Sequence, residues 1–297
     1  MIEIKLSQGA KPGHGGILPA AKVSAEIAAI RGVPLGRDVI SPPAHSAFST
    51  PLEMTAFIAK LRELSGGKPI GFKLCVGKRH EFLALCKAMV ETGITPDFIT
   101  VDGGEGGTGA APLEFANYIG SPLVEGLIFV RNALTGYSVR DKIRIIASGR
   151  VISGFQIVKR LALGADMCYS ARGMMLAMGC IQALRCNSNH CPVGITTHNP
   201  QLVAGLVPSV KNVRVYNYHK QVVENVSDML GAMGLTHPQN LHPWHIMRRV
   251  SPTSVKHYAE IYDFLRDGDL LQPVLPASLE DPCRAASAQT FARVGIP

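Results

Sequence analysis

The stretch that decides the fold spans residues 143–195 and reads IRIIASGRVISGFQIVKRLALGADMCYSARGMMLAMGCIQALRCNSNHCPVGI. Its first half contains two short strand patterns, at 143–147 and 167–170, each followed by a turn of small residues and a helix pattern. Short apolar runs of this kind are typical of buried parallel strands. The stretch therefore predicts consecutive βα units in an α/β fold.

The two strand ends form a candidate phosphate site. A strand end that opens a helix presents free backbone N–H groups and the positive end of a helix dipole to an anion. Ser153 is the expected N-cap of the first helix and Gly164 its expected end. Any pair of βα turns would also use glycine, so the residues alone leave both interpretations open. The candidate residues are Ser148, Gly149, Arg150, Gly154, Ser170, Ala171 and Arg172.

Three cysteines follow the second helix pattern. Cys180, Cys186 and Cys191 have the spacing C-x5-C-x4-C, and a proline comes directly after the last one. Thiolates are the usual ligands of iron–sulfur clusters and also bind zinc. The spacing is compatible with a cluster that lacks one iron, with a zinc site completed by His190, or with three inert thiols.

Further candidates lie in the first third of the chain, where a strand pattern at 3–7 runs into the glycine-rich loop 8–16. Gln8 and Lys11 in this loop offer an amide and a cation to a ligand. Lys73 lies inside the apolar strand pattern 72–76, where an unpaired charge is costly. A fifth strand pattern, 98–101, leads into a loop with five glycines that includes Gly107, and glycine permits close approach of the backbone to a ligand.

Composition narrows the classes of function. The chain has 297 residues, a net charge of +8 and 6% aromatic residues, and its basic residues are scattered rather than clustered. This distribution argues against nucleic-acid binding. No apolar run reaches the length of a membrane helix. With seven cysteines and no leader pattern, the sequence predicts a cytoplasmic protein with reduced thiols and no membrane partner.

Three motifs occur in a fixed order: IKLSQGAKPGHGGILPAAKV at 4–23, VDGGEGGTGAAP at 101–112 and GCIQALRCNSNHCPVGITTHNP at 179–200. Together they resemble the FMN-binding synthase domain of the glutamate synthase large subunit, in the form that lacks a glutaminase domain. The resemblance runs from about residue 2 to about residue 203. It implies a (β/α)₈ barrel of the FMN-dependent type and a 3Fe-4S cluster on the three cysteines. It also assigns Gln8, Lys73 and Gly107, together with the two turns at 148–154 and 170–172, to FMN.

The activity implied by this resemblance is the reductive amination of 2-oxoglutarate to L-glutamate. Electrons would pass from a donor through the cluster to FMN and then, as hydride, to 2-iminoglutarate. Lys11 and Arg31 would bind the carboxylates of the 2-oxo acid, and Lys11 and Lys73 would act in catalysis. The implied partners are a ferredoxin or an NAD(P)H-dependent reductase subunit and a source of ammonia.

The match is incomplete at two positions, because His14 and Ile17 stand where the family has glutamate and glutamine. We therefore expect a relaxed choice of oxo acid. The alternatives are an N-methylglutamate synthase-like subunit and a non-catalytic binding subunit that needs a partner.

The predicted strands number five rather than eight, so the barrel is expected to be incomplete, with the family's N-terminal strands missing from this sequence. Residues 1–205 are predicted to form the partial barrel with the cysteine motif. Residues 206–267 are predicted to be a helical extension and residues 268–297 a flexible tail, because the tail is rich in Ala, Ser and Pro.

Overall fold

The computed structural model describes residues 1–107 and 109–295. Thr108, in the loop with five glycines that follows the predicted strand 98–101, and the last two positions of the predicted tail therefore lie outside it. The strands and α-helices follow one another as β1 (Ile2–Lys5), β2 (Ile17–Leu18), α1 (Ala25–Arg31), β3 (Val39–Ile40), α2 (Pro51–Leu64), β4 (Ile70–Leu74), α3 (Arg79–Thr92), β5 (Phe98–Asp102), α4 (Leu123–Gly136), β6 (Arg144–Ser148), α5 (Gly154–Ala162), β7 (Met167–Tyr169), α6 (Arg172–Met178), α7 (Pro200–Val203), α8 (Pro208–Ala232), β8 (Met247–Ser251), β9 (Ser254–His257), α9 (Tyr258–Ile261) and α10 (Ala277–Arg284).

The five predicted strands form one parallel sheet in the order β1-β4-β5-β6-β7, which is also their order along the chain. An unbroken order with right-handed crossovers places the connecting helices on one face of a sheet. The sheet does not close into a barrel: among the described residues, β1 and β7 each pair on one side only.

Local signals account for the helix ends. Thr50 accepts a hydrogen bond from the backbone N–H of Glu53, and the Glu53 carboxylate accepts one from the Thr50 N–H, which completes a capping box at the start of α2. Ser153 and Gln156 form the equivalent box at α5. Helix α3 ends at Gly93, whose φ of 70° is the left-handed conformation favoured at a helix C-terminus.

One face of the sheet is apolar and packs against helices α2–α5. Side chains of alternate strand residues point to this face because the period of a strand is two residues. Its buried members join the apolar residues of the helices in one core cluster; from the strands these are Ile4, Ile70, Phe72, Leu74, Ile99, Val101, Ile145 and Ala147.

The opposite face carries most of the polar strand residues together with two buried apolar ones, Phe98 and Ile146. It carries Glu3, Lys5, Lys73, Thr100, Asp102 and Ser148, which the register places side by side. Lys73 Nζ lies 3.7 Å from Glu3 Oε1, and the Thr100 hydroxyl donates to Glu3 Oε2 at 2.6 Å. The charge of Lys73 within the sheet is therefore paired.

Two predictions about the C-terminal third need correction. The segment 206–267 begins with α8, which packs on α5 and α6, but it also contains the antiparallel hairpin β8-β9. The segment 268–295 is not a flexible tail. Helix α10 packs on α3, Leu279 and Cys283 are buried, and Lys87 Nζ donates to the carbonyls of Cys283 and Ala286. The physical reason is the four-residue spacing of Leu279 and Cys283, which gives a short helix one apolar side.

None of the helices described is both long enough and apolar enough to cross a membrane.

Candidate functional site

A cavity of about 270 Å³ lies at the carboxyl ends of the parallel strands, where loops from β1, β5, β6 and β7 meet. This edge is where parallel α/β sheets place their ligand sites. Among the residues predicted to bind FMN, those that line the cavity are Gln8, Lys73, Gly107, Ser148, Gly149, Arg150, Ala171 and Arg172.

Glycines allow these loops to approach one another. A Cβ atom on Gly9 would lie 1.7 Å from the carbonyl oxygen of Gly103, so the loops after β1 and β5 touch backbone to backbone. Gly106 has a φ of 89°, and a Cβ atom there would lie 1.7 Å from Nη2 of Arg172. The guanidinium of Arg172 therefore rests on the glycine backbone and donates to the carbonyl of Glu105 at 3.2 Å.

The two carboxylates of the cavity are already used by the backbone. Asp102 Oδ2 accepts from the N–H of Gly9 at 2.8 Å. Both carboxylate oxygens of Glu105 accept from the N–H of Leu123 at 2.9 Å, which serves the start of α4 in place of a side-chain cap. These contacts hold the β1 and β5 loops in place.

Positive charge accumulates in the same region. Partial burial lowers the pKa of the Lys5 ammonium, and the nearby cations Lys73 and Lys11 lower it further. Burial likewise lowers the pKa of Arg172, with a second contribution from Arg150. The smaller part of each pKa shift comes from repulsion between neighbouring cations, and a bound anion would relieve this repulsion.

The remaining predicted residues lie outside the lining of this cavity. Gly154 packs against α8, where a Cβ atom would lie 2.9 Å from Asn225 Cβ, and the Ser170 hydroxyl donates to the Val151 carbonyl at 2.7 Å. Lys11 is buried, and its Nζ lies 3.5 Å from the Ala110 carbonyl. Arg31 is exposed in the last turn of α1, so the structure does not bring it beside the cavity.

Sequence reasoning missed Lys5, Asp102, Glu105 and Tyr169. Lys5 sits opposite Lys73 in the register, and its Nζ donates to Gln8 Oε1 at 2.6 Å. The alternation of β1 could have identified Lys5, because Glu3 and Lys5 share the polar face. Asp102, Glu105 and Tyr169 line the cavity, and only the meeting of separate loops shows this.

The three motif cysteines lie in a loop after α6, which we call the cysteine loop (residues 179–197). Cys180 and Cys186 are partly exposed and Cys191 is buried. Within residues 1–107 and 109–295, no set of three or more His, Cys, Asp or Glu side chains is gathered closely enough to hold a metal ion. His190 is exposed, with Nδ1 bonded to the Ser188 carbonyl at 2.6 Å.

The donor chemistry of this loop nevertheless suits a thiolate ligand. Burial acts to raise the pKa of the Cys191 thiol. Hydrogen bonds from the backbone N–H and hydroxyl of Thr196 outweigh this effect, helped by N–H groups of Val193 and Ile195, and bring the pKa to about 7. The Gln182 N–H points at Cys180 Sγ at 3.4 Å. Bonds of this kind stabilise thiolates around metal centres.

The backbone of the cysteine loop is also unusual. Gln182, Leu184 and Asn189 have φ values of 56°, 55° and 65°. Left-handed conformations are uncommon outside glycine and concentrate at functional sites. The cysteine loop also packs against the five-glycine loop after β5, because a Cβ atom on Gly109 would lie 2.0 Å from the Leu184 carbonyl oxygen.

Sheet and cavity together define an α/β protein with a cation-rich site at the carboxyl ends of singly wound parallel strands. The chain belongs to the glutamate synthase family: the conserved region in glutamate synthase matches residues 1–236.

Two relatives illustrate the similarity. The glutamate synthase large subunit-like protein YerD of Bacillus subtilis (strain 168) is 42% identical over 254 residues, which cover 86% of this chain and 48% of YerD. The archaeal glutamate synthase [NADPH] of Methanocaldococcus jannaschii is 37% identical over 81% of this chain and 46% of its own length. The chain thus spans about half the length of these relatives.

Among solved structures, the recombinant flavin-binding domain of baker's yeast flavocytochrome b2 matches with a TM-score of 0.41 and 16% identity. The match covers 75% of this chain and 42% of that chain.

Proposed function

We propose that this chain is the flavin- and cluster-binding portion of a glutamate synthase that reductively aminates 2-oxoglutarate to L-glutamate. The observation that carries the proposal is the cavity at the strand ends, where Lys73, Arg150 and Arg172 converge while both nearby carboxylates are engaged by backbone N–H groups. Family membership supports the reaction class, since the relatives named above are called glutamate synthases or glutamate synthase-like.

The five-stranded sheet is proposed to be part of a (β/α)₈ barrel. Its strands follow the chain without the reversal of order that marks a doubly wound sheet. Its helices cover one face, and the other face carries the Glu3–Lys73 pair and the buried Thr100. A parallel sheet needs an enclosure on the face that its crossover helices do not cover, and a barrel interior supplies it.

The cavity residues fit FMN. A phosphate group would meet the guanidinium of Arg172 and the turn at Ser148 and Gly149, all of which line the cavity. Lys73, fixed by Glu3, would present its ammonium to the electron-rich edge of the ring, and Gln8 would donate from its amide. FMN bound here would supply hydride transfer chemistry.

Lys11 is the proposed substrate residue nearest to the cavity loops. Its buried ammonium would bind a carboxylate of the oxo acid, because a buried cation favours an anionic partner. Arg31 would reach the same substrate only if α1 and its loop moved, since the side chain is exposed in this structure.

The cysteine loop is the proposed cluster site. Cys180, Cys186 and Cys191 would ligate a 3Fe-4S cluster, supported by the acidified Cys191 thiol and the N–H group facing Cys180. The three side chains would have to draw together around the metal, as is common when a metal orders its ligand loop. The electron donor is proposed to be a ferredoxin or an NAD(P)H-dependent reductase.

The test is FMN titration of the whole chain with Arg172→Ala and Arg144→Ala variants, followed by flavin fluorescence. Arg144 starts the strand whose other end lines the cavity, and its exposed pair with Asp166 is worth at most about 1 kcal/mol. Loss of a hydrogen bond to a charged group costs about 1.5–3 kcal/mol, so the Arg172 variant should bind FMN about 10- to 150-fold more weakly. The Arg144 variant should bind as the wild type does.

Equal affinities for all three proteins would contradict the cavity assignment. Iron analysis and EPR of protein purified anaerobically test the cluster separately, because a colourless protein with one zinc would favour the zinc alternative. Assays with methylamine in place of ammonia distinguish the N-methylglutamate synthase alternative.

A further inference from the structure

Lys22 connects the segment after the glycine-rich loop 8–16 to the cysteine loop. The residue ends the short 3₁₀ turn Ala20–Lys22, and its Nζ donates to the carbonyl of Cys186 and, at 2.9 Å, to the carbonyl of Thr196. A third contact joins the same two segments, from Asn189 Nδ2 to the Ala21 carbonyl at 3.4 Å. The partners of Lys22 are 164 and 174 residues away in sequence.

The ammonium of Lys22 has carbonyl acceptors but no carboxylate. In the part of the chain that the structure describes, no Asp or Glu lies within ion-pair distance of its Nζ, which is partly buried. The hydroxyl of Thr196 is buried without an oxygen or nitrogen partner among the same residues. Lys22 therefore places a cation beside Cys186, and the Thr196 hydroxyl faces the Cys191 thiol, so an anionic group at the cysteines would lie close to both donors.

We propose that Lys22 is a positioning residue for the cluster: it clamps the cysteine loop and raises the reduction potential of the iron centre held by Cys180, Cys186 and Cys191. This inference rests on the cluster proposed above. Reduction would add one electron to a centre that three thiolates already make negative, and the Lys22 ammonium beside Cys186 would face the added charge. A nearby ammonium stabilises the more negative, reduced state by Coulomb attraction.

The same clamp links the two sites of the protein. The segment that ends at Lys22 begins with the loop that supplies Gln8 to the cavity, and the carbonyls that it holds belong to the cysteine loop. The clamp therefore fixes the cysteine loop relative to the loop that lines the flavin cavity, which sets the spacing between an electron-accepting centre and the cavity.

The test compares the whole chain with Lys22→Gln and Lys22→Arg variants by potentiometric titration with EPR detection of the oxidised iron centre. Gln removes the charge and Arg keeps it. Lys142→Met is the matched control, because Lys142 is exposed in a turn that precedes β6, at the opposite end of the sheet. We expect Lys22→Gln to change the ratio of oxidised to reduced centre about tenfold at fixed potential, which is 59 mV towards negative values for one electron. The Arg and Lys142 variants should stay near the wild type.

Three outcomes overturn the inference. An unchanged potential in Lys22→Gln with full iron content refutes it and leaves the proposed function standing, whereas a wild type without an iron centre refutes both. Should the Gln variant fail to retain iron, hydrogen exchange of the metal-free proteins decides. Faster exchange across residues 180–197 in Lys22→Gln than in Lys22→Arg supports the clamp, and equal exchange overturns it.

Discussion

Replacing Gly106 by alanine should weaken FMN binding through displacement of Arg172. A Cβ atom at this position would lie 1.7 Å from Nη2 and 2.4 Å from Cζ of Arg172. The contact is with the far end of a flexible side chain, so the guanidinium moves instead of the backbone. Its hydrogen bond to the Glu105 carbonyl and its place in the cavity are then lost.

The magnitude has two parts. The left-handed φ of 89° makes any L-residue at position 106 unfavourable by about 1–2 kcal/mol, and this part lowers stability. Removing the guanidinium from a phosphate forfeits about 1.5–3 kcal/mol of binding, or about 10- to 150-fold in affinity. Gly36→Ala is the control, because its φ of 70° carries the same backbone penalty while a Cβ atom there meets nothing within 4 Å.

The assay combines FMN titration with urea unfolding of both variants. We expect similar losses of unfolding free energy in the two proteins and weaker FMN binding in the Gly106 variant alone. Wild-type FMN affinity in Gly106→Ala, or an equal loss of affinity in Gly36→Ala, would refute the reasoning that Arg172 holds the ligand.

Three further predictions address packing and the cysteines. Gly154→Ala should destabilise the contact between α5 and α8 by about 1–3 kcal/mol, because its Cβ atom would lie 3.0 Å from the Val222 carbonyl oxygen. Gly231→Ala should stabilise α8 by about 0.5–1 kcal/mol, because a Cβ atom there meets nothing within 4 Å. Thermal unfolding of both variants measures the two changes in stability. In metal-free protein, the alkylation rate of Cys191 should rise as the pH passes through about 7, because the thiolate is the reactive form and the pKa of this thiol is lowered in the folded protein. Cys75 and Cys168 should stay unreactive up to pH 9, because burial raises their pKa values to about 12. Peptide mapping measures the order of labelling, and labelling of Cys75 first would contradict the prediction. Leu279→Ala should lower the unfolding free energy by about 2–5 kcal/mol, because Leu279 is buried where α10 packs on the fold. Leu271→Ala is the control and should change it little, because Leu271 is exposed. Equal urea midpoints for the two variants would show that α10 does not contribute to stability.

The sheet was predictable because its determinants are local. All five predicted strands form, within two residues of the expected bounds, since each β-branched or alternating run carries its own period. The expected N-cap Ser153 is confirmed and is equally local, and the capping box at Thr50 and the end of α3 at Gly93 also depend on residues next to each other in the chain. The tail prediction failed because composition says nothing of where a short helix docks, and α10 is stabilised by α3, far away in the chain.

The sequence by itself determined the parallel βα units, the glycine turns at their carboxyl ends and the family to which the chain belongs, because periodicity, turn chemistry and motif order are written along the chain. Only the tertiary structure decided which charges meet. Glu3 pairs with Lys73, Gly9 donates to Asp102 across 93 residues, Arg172 lies on Gly106, and Lys22 reaches the cysteine loop across 164 residues. Such contacts depend on how separate loops converge at one end of the sheet, and the spacing of residues in a sequence carries no measure of that convergence.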